Sequence, residues 1–542
     1  MEFNLAQIHE AVAEAVPERD CIVTPQRRLS WSEVTERTRR LANYLGARGL
    51  GHTRARSALQ PHESGQDHLA LYLYNGHEYL EGMLGAYKAR VVPFNVNYRY
   101  VEAELRYLFK DSGARGIIYH ACFAPVLEKI RPELPDLDVL IQVSDDSGQP
   151  LLPGAIEYET ALTSASPDRP DLDWSPDDLY MLYTGGTTGM PKGVLWRQAD
   201  IFVAALGGRL GDGSEHESIA SLVGQAAGDG ARVLAAAPFM HGAAHWCAFL
   251  NFHAGNTIVI QKETRRLDPD DLLSTIVRER VSALLIVGDA FGRPILDQLS
   301  KKKYDLGSFR ILITGGAALN ASFKQEFLEL VPHLVIIDGV GSSETGSQGR
   351  NVSTAAGGAS TGTFQPDPTC CILSDDITRV LEPGHEEIGW FSQCGRVPLG
   401  YLSDPEKTRH TFPTIDGLRY AVPGDRARLR ADGIVELYGR DSVTINSGGE
   451  KIFAEEVENA LKQHPAVYDA VVVGRPSERW GQEVVALVKL REGKKASEAS
   501  LIEACVDHLA RFKLPKAILF LDEIVRSPSG KADYRWAKAQ VS

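Results

Sequence analysis

One segment of the chain, residues 183–194, brings glycines, threonine hydroxyls and a lysine into a single loop. It reads Tyr-Thr-Gly-Gly-Thr-Thr-Gly-Met-Pro-Lys-Gly-Val. Because glycine has no Cβ atom, backbone N–H groups can approach an anion closely there, while the hydroxyls and Lys192 add donors and a positive charge. The segment therefore predicts a phosphate-binding loop. It is not a Walker A loop, because Gly193 follows Lys192 where that motif requires Ser or Thr.

Two other segments place small and polar residues directly after an apolar run, as is expected where a buried strand ends at a site. The run at 334–337 leads to Gly341-Ser-Ser-Glu-Thr345, and the run at 310–313 leads to Thr314-Gly-Gly-Ala-Ala318. A hard cation prefers an oxygen ligand such as the carboxylate of Glu344. A dinucleotide fingerprint is disfavoured, because Glu344 stands where its third glycine would be.

Charged and glycine-rich segments follow in the last quarter of the chain. Asp425 ends the stretch Tyr-Ala-Val-Pro-Gly-Asp, and Arg440 lies in Leu-Tyr-Gly-Arg-Asp. A carboxylate accepts hydrogen bonds from two hydroxyls, and a guanidinium donates in a fixed fork. A glycine-rich stretch at 439–452 and Arg526-Ser-Pro-Ser-Gly-Lys531 complete the set. Taken singly, a Gly-Asp turn and a lysine near the end of the sequence predict no function.

Taken in order, these segments resemble the motifs of the adenylate-forming superfamily: acyl- and aryl-CoA synthetases, adenylation domains of peptide synthetases, and firefly luciferase. The resemblance covers nearly the whole chain. It implies an α/β fold, with a large N-terminal adenylation domain of several subdomains at 1–440 and a small, mobile α+β C-terminal domain at 441–542. It also implies ATP, Mg²⁺ and coenzyme A as ligands.

The resemblance further implies a role for each motif residue. The catalytic set is Lys531, Glu344 and Thr184, of which Glu344 and Thr184 would hold the magnesium. The implied ATP- or AMP-binding residues are Thr184, Gly185, Gly186, Thr187, Thr188, Gly189, Lys192, Gly315, Gly316, Ala317, Gly339, Val340, Gly341, Ser343, Thr345, Asp425, Arg440 and Lys531. Among them, Asp425 and Arg440 would hold the ribose hydroxyls, and the segment 314–318 would form the adenine-binding turn. Val340 departs from the family, which usually has an aromatic residue there to stack on adenine.

The remaining site residues concern the acyl group, the hinge and CoA. The implied sets are His241, Gly242, Ala243, Gly288 and Gly316 for the acyl pocket, Asp441 and Ser442 for the hinge, and Ser447, Gly448 and Gly449 for the CoA tunnel. His241 and His245 also have the spacing of two zinc ligands on a helix, but no glutamate follows the first and no third ligand is evident. A packed histidine without a ligand role stays open as an alternative.

The pattern of apolar residues predicts alternating helices and buried strands. Ser30 and Glu33 have capping-box spacing and predict the start of a helix with Trp31, Val34, Leu41 and Leu45 on one face. Strands are predicted at 69–74, 91–94, 116–119 and 139–143. Beyond residue 440, helices are predicted at 454–463 and 501–511, and strands at 470–473 and 484–490.

Composition sets further limits. A chain of 542 residues exceeds what one core usually supports. A net charge of −13 without long runs of one sign argues against nucleic acid as a partner. The seven cysteines show no Cys-x-x-Cys spacing, and no signal peptide or run of 18 apolar residues is evident. We therefore expect a cytoplasmic enzyme without an integral membrane segment, and leave peripheral membrane association and homo-oligomerisation open.

The implied activity is AMP-forming acyl-CoA synthesis. Residues 71–76, 93–100 and 446–453 look similar to actinobacterial fatty-acyl-CoA synthetases that include steroid side-chain ligases, which points to a fatty or steroid side-chain acid. An aryl-CoA ligase remains an alternative. An amino-acid-type adenylation domain is disfavoured because residues 238–245 offer no acid for a substrate amine. A non-catalytic nucleotide-binding relative would tend to lose Lys531 or Glu344, and both are present.

Overall fold

The computed structural model describes residues 2–184, 190–447, 450–477, 479–506, 508–527 and 530–541. The helices are α1 (Leu5–Ala15), α2 (Trp31–Ala47), α3 (His77–Lys88), α4 (Glu102–Ser112), α5 (Ala124–Ile130), α6 (Tyr158–Thr163), α7 (Gln198–Ala205), α8 (Ile219–Ala226), α9 (Gly242–His253), α10 (Pro269–Glu279), α11 (Gly288–Lys301), α12 (Ala321–Leu330), α13 (Pro405–Thr411), α14 (Ala454–Lys462), α15 (Glu498–Cys505) and α16 (Tyr534–Val541). The strands are β1 (Asp20–Val23), β2 (Arg28–Ser30), β3 (His68–Tyr72), β4 (Val92–Asn95), β5 (Ala114–His120), β6 (Val139–Val143), β7 (Ile156–Glu157), β8 (Leu179–Thr184), β9 (Lys192–Arg197), β10 (Arg232–Ala235), β11 (Thr257–Val259), β12 (Ala283–Ile286), β13 (Ile311–Gly315), β14 (Val335–Ser342), β15 (Gly346–Ser353), β16 (Thr363–Pro366), β17 (Cys370–Leu373), β18 (Gly389–Cys394), β19 (Gly400–Tyr401), β20 (Thr414–Ile415), β21 (Leu418–Ala421), β22 (Asp425–Leu429), β23 (Val435–Arg440), β24 (Ile445–Ser447), β25 (Glu450–Ile452), β26 (Val467–Ser477), β27 (Gly481–Leu490) and β28 (Ala517–Phe520).

The largest sheet has the strand order β2-β1-β11-β10-β12-β13-β14-β15-β16-β23-β22-β18-β21-β20, with β17 paired to β18. Strands β1, β11, β10, β12, β13 and β14 are parallel, and the pairing becomes antiparallel at β15. Parallel strands are usually covered on both faces, which explains why β12 is an unbroken run of buried residues. The carboxyl ends of β13 and β14 therefore lie together at one edge of the sheet, where open α/β sheets bind ligands.

Two smaller sheets complete the part of the chain before residue 440. One is parallel, in the order β4-β3-β5-β6-β7. The other is antiparallel, in the order β19-β9-β8, and carries the predicted phosphate loop between β8 and β9. Because the connection between β8 and β9 is short, the pairing of these two strands fixes where the loop begins and ends.

The last part of the chain builds its own sheet and cores. Strands β25, β24, β27 and β26 pair in that order, and β28 adds to β27 in parallel. One apolar cluster packs α14 and α15 against this sheet, around Val457, Leu461 and Leu501, and another packs α16 around Ala537 and Val541. The domain boundary predicted at Arg440 coincides with the end of β23 and stays a prediction.

Most elements predicted from the sequence are confirmed, with small shifts at their ends. Ser30 and Glu33 form the predicted capping box of α2, and the apolar face of that helix is buried. The helix predicted at 501–511 is wrong in its bounds: α15 begins after the N-cap Ser497 and ends at Cys505. The capping serine fixes its start, and Leu509 is buried outside the helix. In the described part of the chain, no helix is both long and apolar enough to cross a bilayer.

Candidate active site

The predicted phosphate loop joins the ends of two antiparallel strands. Thr184 at the end of β8 pairs in register with Lys192 at the start of β9. The ammonium of Lys192 forms an ion pair with Asp404, and both side chains are about 30% exposed. The predicted loop residues between them lie outside the described residues: Gly185, Gly186, Thr187, Thr188 and Gly189.

Tyr401 connects the lysine of this loop to the predicted magnesium ligand. Its hydroxyl donates a hydrogen bond to Oε1 of Glu344 at 2.8 Å. Nζ of Lys407 lies 4.7 Å from the Tyr401 ring centroid, and Nζ of Lys192 lies 6.0 Å from it. Burial, and then the charge of Lys192, lower the pKa of Lys407. Two cations and a carboxylate therefore converge around one ring, which suits the binding of a polyphosphate.

Sequence reasoning missed Tyr401, Asp404 and Lys407. The local signal there is that of a helix start: Asp404 caps α13, and Pro405 is the first residue of that helix. Nothing in this pattern indicates a partner far away in the sequence. Asp404 and Lys192 are 212 residues apart.

Glu344 sits in the tight turn between β14 and β15. The hydroxyl of Thr345 accepts a hydrogen bond from the backbone N–H of Ser342 at 3.0 Å, and Thr345 is fully buried. The carbonyl of Ser343 accepts a hydrogen bond from the indole of Trp196 at 2.9 Å. Position 341 needs glycine, because an added Cβ would lie 2.1 Å from the carbonyl oxygen of residue 346. The turn is therefore held rigidly, which favours a fixed carboxylate.

The predicted ribose pair meets across two neighbouring strands. Asp425 and Arg440 are register partners in β22 and β23, and Nε of Arg440 donates to Oδ1 of Asp425 at 3.2 Å. The charges of Asp425 and Glu344 raise the pKa of Arg440. The structure thus brings together two residues that were predicted as a pair.

Lys531 lies among these same charged groups. Lys531 is exposed to solvent, and desolvation by the protein groups around it lowers its pKa. Arg440 lowers the pKa of Lys531 further, while Glu344 and Asp425 oppose the shift. The preceding Gly530 has a φ of +73°, and an added Cβ would lie 3.1 Å from the carbonyl oxygen of residue 287. The turn that carries Lys531 therefore rests against the N-terminal part of the chain.

The residues predicted to border adenine lie at the ends of β13 and β14. Gly315 ends β13 and pairs with Gly339 of β14. Gly316 follows with a φ of +81° and leads to Ala317. Val340 packs against the small apolar cluster that includes Phe391. Packing in this cluster therefore accounts for Val340. The position offers no aromatic ring that could stack on adenine.

The two histidines near the predicted acyl pocket differ in their partners. His245 is buried, with Nδ1 bonded to the carbonyl of Phe239 at 2.7 Å and Nε2 bonded to the hydroxyl of Tyr180. Both of its nitrogens are occupied, so His245 is a packed histidine and not a zinc ligand. His241 is the N-cap residue of α9, and its buried Nε2 has no hydrogen-bond partner among the described residues. Burial and then the charge of Lys531 lower the pKa of His241 to about 3, so the ring is neutral.

The small residues of the predicted acyl pocket are not equivalent. A Cβ on Gly242 would lie 2.9 Å from Leu182, and one on Gly288 would lie 2.5 Å from the carbonyl oxygen of Ala318. Gly288 also has a φ of +50°. Backbone contact therefore accounts for Gly288, whereas Ala243 is partly exposed and packs against the main apolar core.

The predicted hinge is a short 3₁₀ turn, Asp441–Val443. Its first residue, Asp441, donates its backbone N–H to the carbonyl of Gly424 at 3.0 Å, and Ser442 is exposed. Of the predicted tunnel residues, Ser447 ends β24, while Gly448 and Gly449 lie outside the described residues.

Comparison with known proteins identifies the family in which this order of motifs occurs. The family profile described as AMP-binding enzyme matches residues 9–390, and that of the AMP-binding enzyme C-terminal domain matches residues 456–531. The chain therefore belongs to the AMP-binding enzyme family, and the predicted class of AMP-forming acid–thiol ligase is confirmed.

Similar proteins extend this finding over the full length. The medium-chain acyl-CoA ligase Mig of Mycobacterium avium is 53% identical, covering 99% of this chain and 98% of its own. The 3-oxocholest-4-en-26-oate–CoA ligase of Rhodococcus rhodochrous is 39% identical, covering 100% and 96%. The crystal structure of the anthranilate CoA ligase AuaEII with anthranoyl-AMP superposes with a TM-score of 0.83 at 22% identity, covering 100% and 97%, and supports the fold. The predicted fold class is thereby confirmed.

Glu455 is a charged residue of the cleft that the motifs did not indicate. It lies in the first turn of α14. A Cβ added at Gly439 would lie 3.0 Å from Oε2 of Glu455. Burial raises the pKa of Glu455 to about 7, and the carboxylates of Glu458 and Asp425 add to this shift. Arg440 and Lys462 oppose it. The side chain therefore titrates near neutral pH.

This shift predicts a pH-dependent stability. The folded protein binds the Glu455 proton more tightly than the unfolded chain, so the stabilisation it gives is present at low pH and is lost as pH rises from 4.5 through about 7. We expect the melting temperature of Glu455→Gln, relative to wild type, to rise between about pH 5 and about pH 8. Thermal denaturation across this range measures it, with exposed Glu492→Gln as control. A difference in melting temperature that stays constant across this pH range would rule out the titration of Glu455 near neutral pH.

Proposed function

We propose that the chain activates a hydrophobic carboxylic acid with ATP and transfers the acyl group to coenzyme A. The observation that carries the proposal is that Arg440 bonds to Asp425 and that both residues, with Glu344, lie close enough to Lys531 to shift its pKa. Full-length identity to acyl-CoA ligases supports the choice of CoA as acceptor. An acid–thiol ligase of this kind consumes ATP and CoA.

In the first half-reaction, a carboxylate oxygen of the acid attacks the α-phosphorus of ATP and pyrophosphate leaves. Asp425 and Arg440 would hold the ribose hydroxyls, and Thr184 and Lys192 the phosphates. The ammonium of Lys531 would stabilise the negative charge that develops at the α-phosphate. The neutral ring of His241 would border the acyl carboxylate without adding a charge.

Magnesium fits the residues present. Glu344 offers a carboxylate on a rigid turn, and Thr184 offers a hydroxyl at the end of β8, and both are oxygen ligands of the kind a hard cation prefers. When bound, the ion would neutralise charge on the leaving pyrophosphate.

In the second half-reaction, the CoA thiolate attacks the acyl carbonyl and AMP leaves. We propose that the part after residue 440 rotates about Asp441 and Ser442 between the two steps, which exchanges Lys531 for the loop at Ser447, Gly448 and Gly449. The separate cores of this part support such a movement.

Because Lys531 would serve only the first half-reaction, its removal should impair acyl-adenylate formation selectively. Lys531→Ala should slow acyl-adenylate formation by a factor on the order of 100 or more, because it removes one preorganised transition-state donor. Thioester formation from supplied acyl-AMP should be largely kept. Pyrophosphate release and acyl-CoA formation, measured separately, test this, with exposed Lys494→Ala as control. Equal loss of both steps would give Lys531 a structural role instead.

The substrate that we propose is a medium- or long-chain fatty acid or a steroid side-chain acid. The relatives named for such acids support it, as do the small residues beside His241, since each buried methylene adds about 0.8 kcal/mol of binding. A cytoplasmic location forms part of the proposal, and peripheral membrane association stays open.

A screen of fatty, aryl, steroid side-chain and short acids, reading AMP formation, tests this choice. Ala243→Trp should sharply raise the KM for long or polycyclic acids, because the ring fills space beside His241, and should change acetate activation and the KM for ATP little. A wild-type preference for acetate or an aryl acid would overturn the substrate proposal. A weakened ATP affinity in Ala243→Trp, together with an unchanged preference among acids, would also overturn the substrate proposal.

A further inference from the structure

A buried ion pair links the two parts of the chain at a distance from the predicted hinge. Asp289 lies in the first turn of α11, and Lys462 is the last residue of α14. Oδ2 of Asp289 and Nζ of Lys462 are 3.3 Å apart, and both side chains are less than a tenth exposed. Because an uncompensated buried charge is strongly unfavourable, each partner restrains the other.

The pair continues into a chain of charges that ends at the catalytic turn. Nζ of Lys462 lies 3.8 Å from Oδ1 of Asp469. Asp469 accepts hydrogen bonds from Nε and Nη2 of Arg526 at 2.7 and 2.6 Å. Nη1 of Arg526 donates to the carbonyl of Gly530 at 3.1 Å. Gly530 directly precedes Lys531, so the position of Lys462 is transmitted to the backbone of the catalytic lysine.

The N-terminal end of this chain is itself fixed. Oδ1 of Asp289 accepts a hydrogen bond from the backbone N–H of Asn320 at 2.8 Å. The backbone N–H of Asp289 donates to the carbonyl of Ala318 at 3.1 Å. Asp289 is thereby held to the loop that follows β13, where adenine is predicted to bind. The charge chain therefore begins on a rigid element next to the nucleotide site.

We infer that Asp289 and Lys462 are positioning residues that hold Lys531 in place for adenylate formation. The inference rests on the proposed function, in which Lys531 serves the first half-reaction and not the second. Breaking the pair should therefore slow formation of acyl-AMP and leave transfer from acyl-AMP to CoA unaffected. The affinity for ATP should also persist, because Asp425, Arg440 and Lys192 bind it independently.

The test compares Asp289→Asn, Lys462→Met and the double variant. We expect single-turnover acyl-AMP formation to fall roughly tenfold in each single variant, and no further in the double variant, because both changes remove one shared interaction. The KM for ATP should change less than about twofold, since the proposed ATP contacts are untouched. Glu483→Gln is the matched control, since it breaks a partly exposed ion pair with Arg475 in the same part of the chain.

A second measurement does not depend on activity. Hydrogen–deuterium exchange of residues 526–531 should be faster in Asp289→Asn and Lys462→Met than in wild type and Glu483→Gln. Unchanged exchange, additive losses in the double variant, or equal loss of both half-reactions would overturn the positioning role. If the wild type forms no acyl-AMP, the proposed function is rejected. Faster exchange in the two variants would in that case still support the contact between Asp289 and Lys462.

Discussion

The pairing of opposite charges is the interaction on which this site depends. Charge interactions strengthen as water is excluded, and an unpaired charge becomes costly for the same reason. The cations of the cleft accordingly have carboxylate neighbours: Arg440 has Asp425, and Lys192 has Asp404. The strand ends and turns around the cleft serve to hold these groups at fixed separations. The rigid turn that carries Glu344 holds its carboxylate in this way.

Much of the fold and site could be predicted because their signals are local. Buried parallel strands read as continuous apolar runs, and strand ends were marked by glycine and hydroxyl residues, as at Thr184 and Gly315. Asp425 and Arg440 were predicted as a pair and are register partners. The motif order carried the rest of the prediction, since a Gly-Asp turn or a single lysine predicts nothing alone.

What could not be predicted is long-range. Tyr401 donates to a carboxylate 57 residues away, and no periodicity marks either residue for the other. Asp289 looks like an ordinary acid in the first turn of a helix, although it pairs with Lys462 across the two parts of the chain. The length of α15 was misjudged because apolar spacing continued to Leu509 after the helix had ended. Such outcomes are decided by tertiary packing.

The close approach of Gly530 to residue 287 has a consequence for attempts to redesign this enzyme. Val287 immediately precedes Gly288, which was predicted for the acyl pocket, and its carbonyl supports the turn that carries Lys531. The predicted acyl pocket and the turn that carries Lys531 are therefore in contact at this point. We therefore expect a library that varies residues 287–289 to change acid selectivity and reaction rate together, and changes at Ala243, on a different element, to affect selectivity separately.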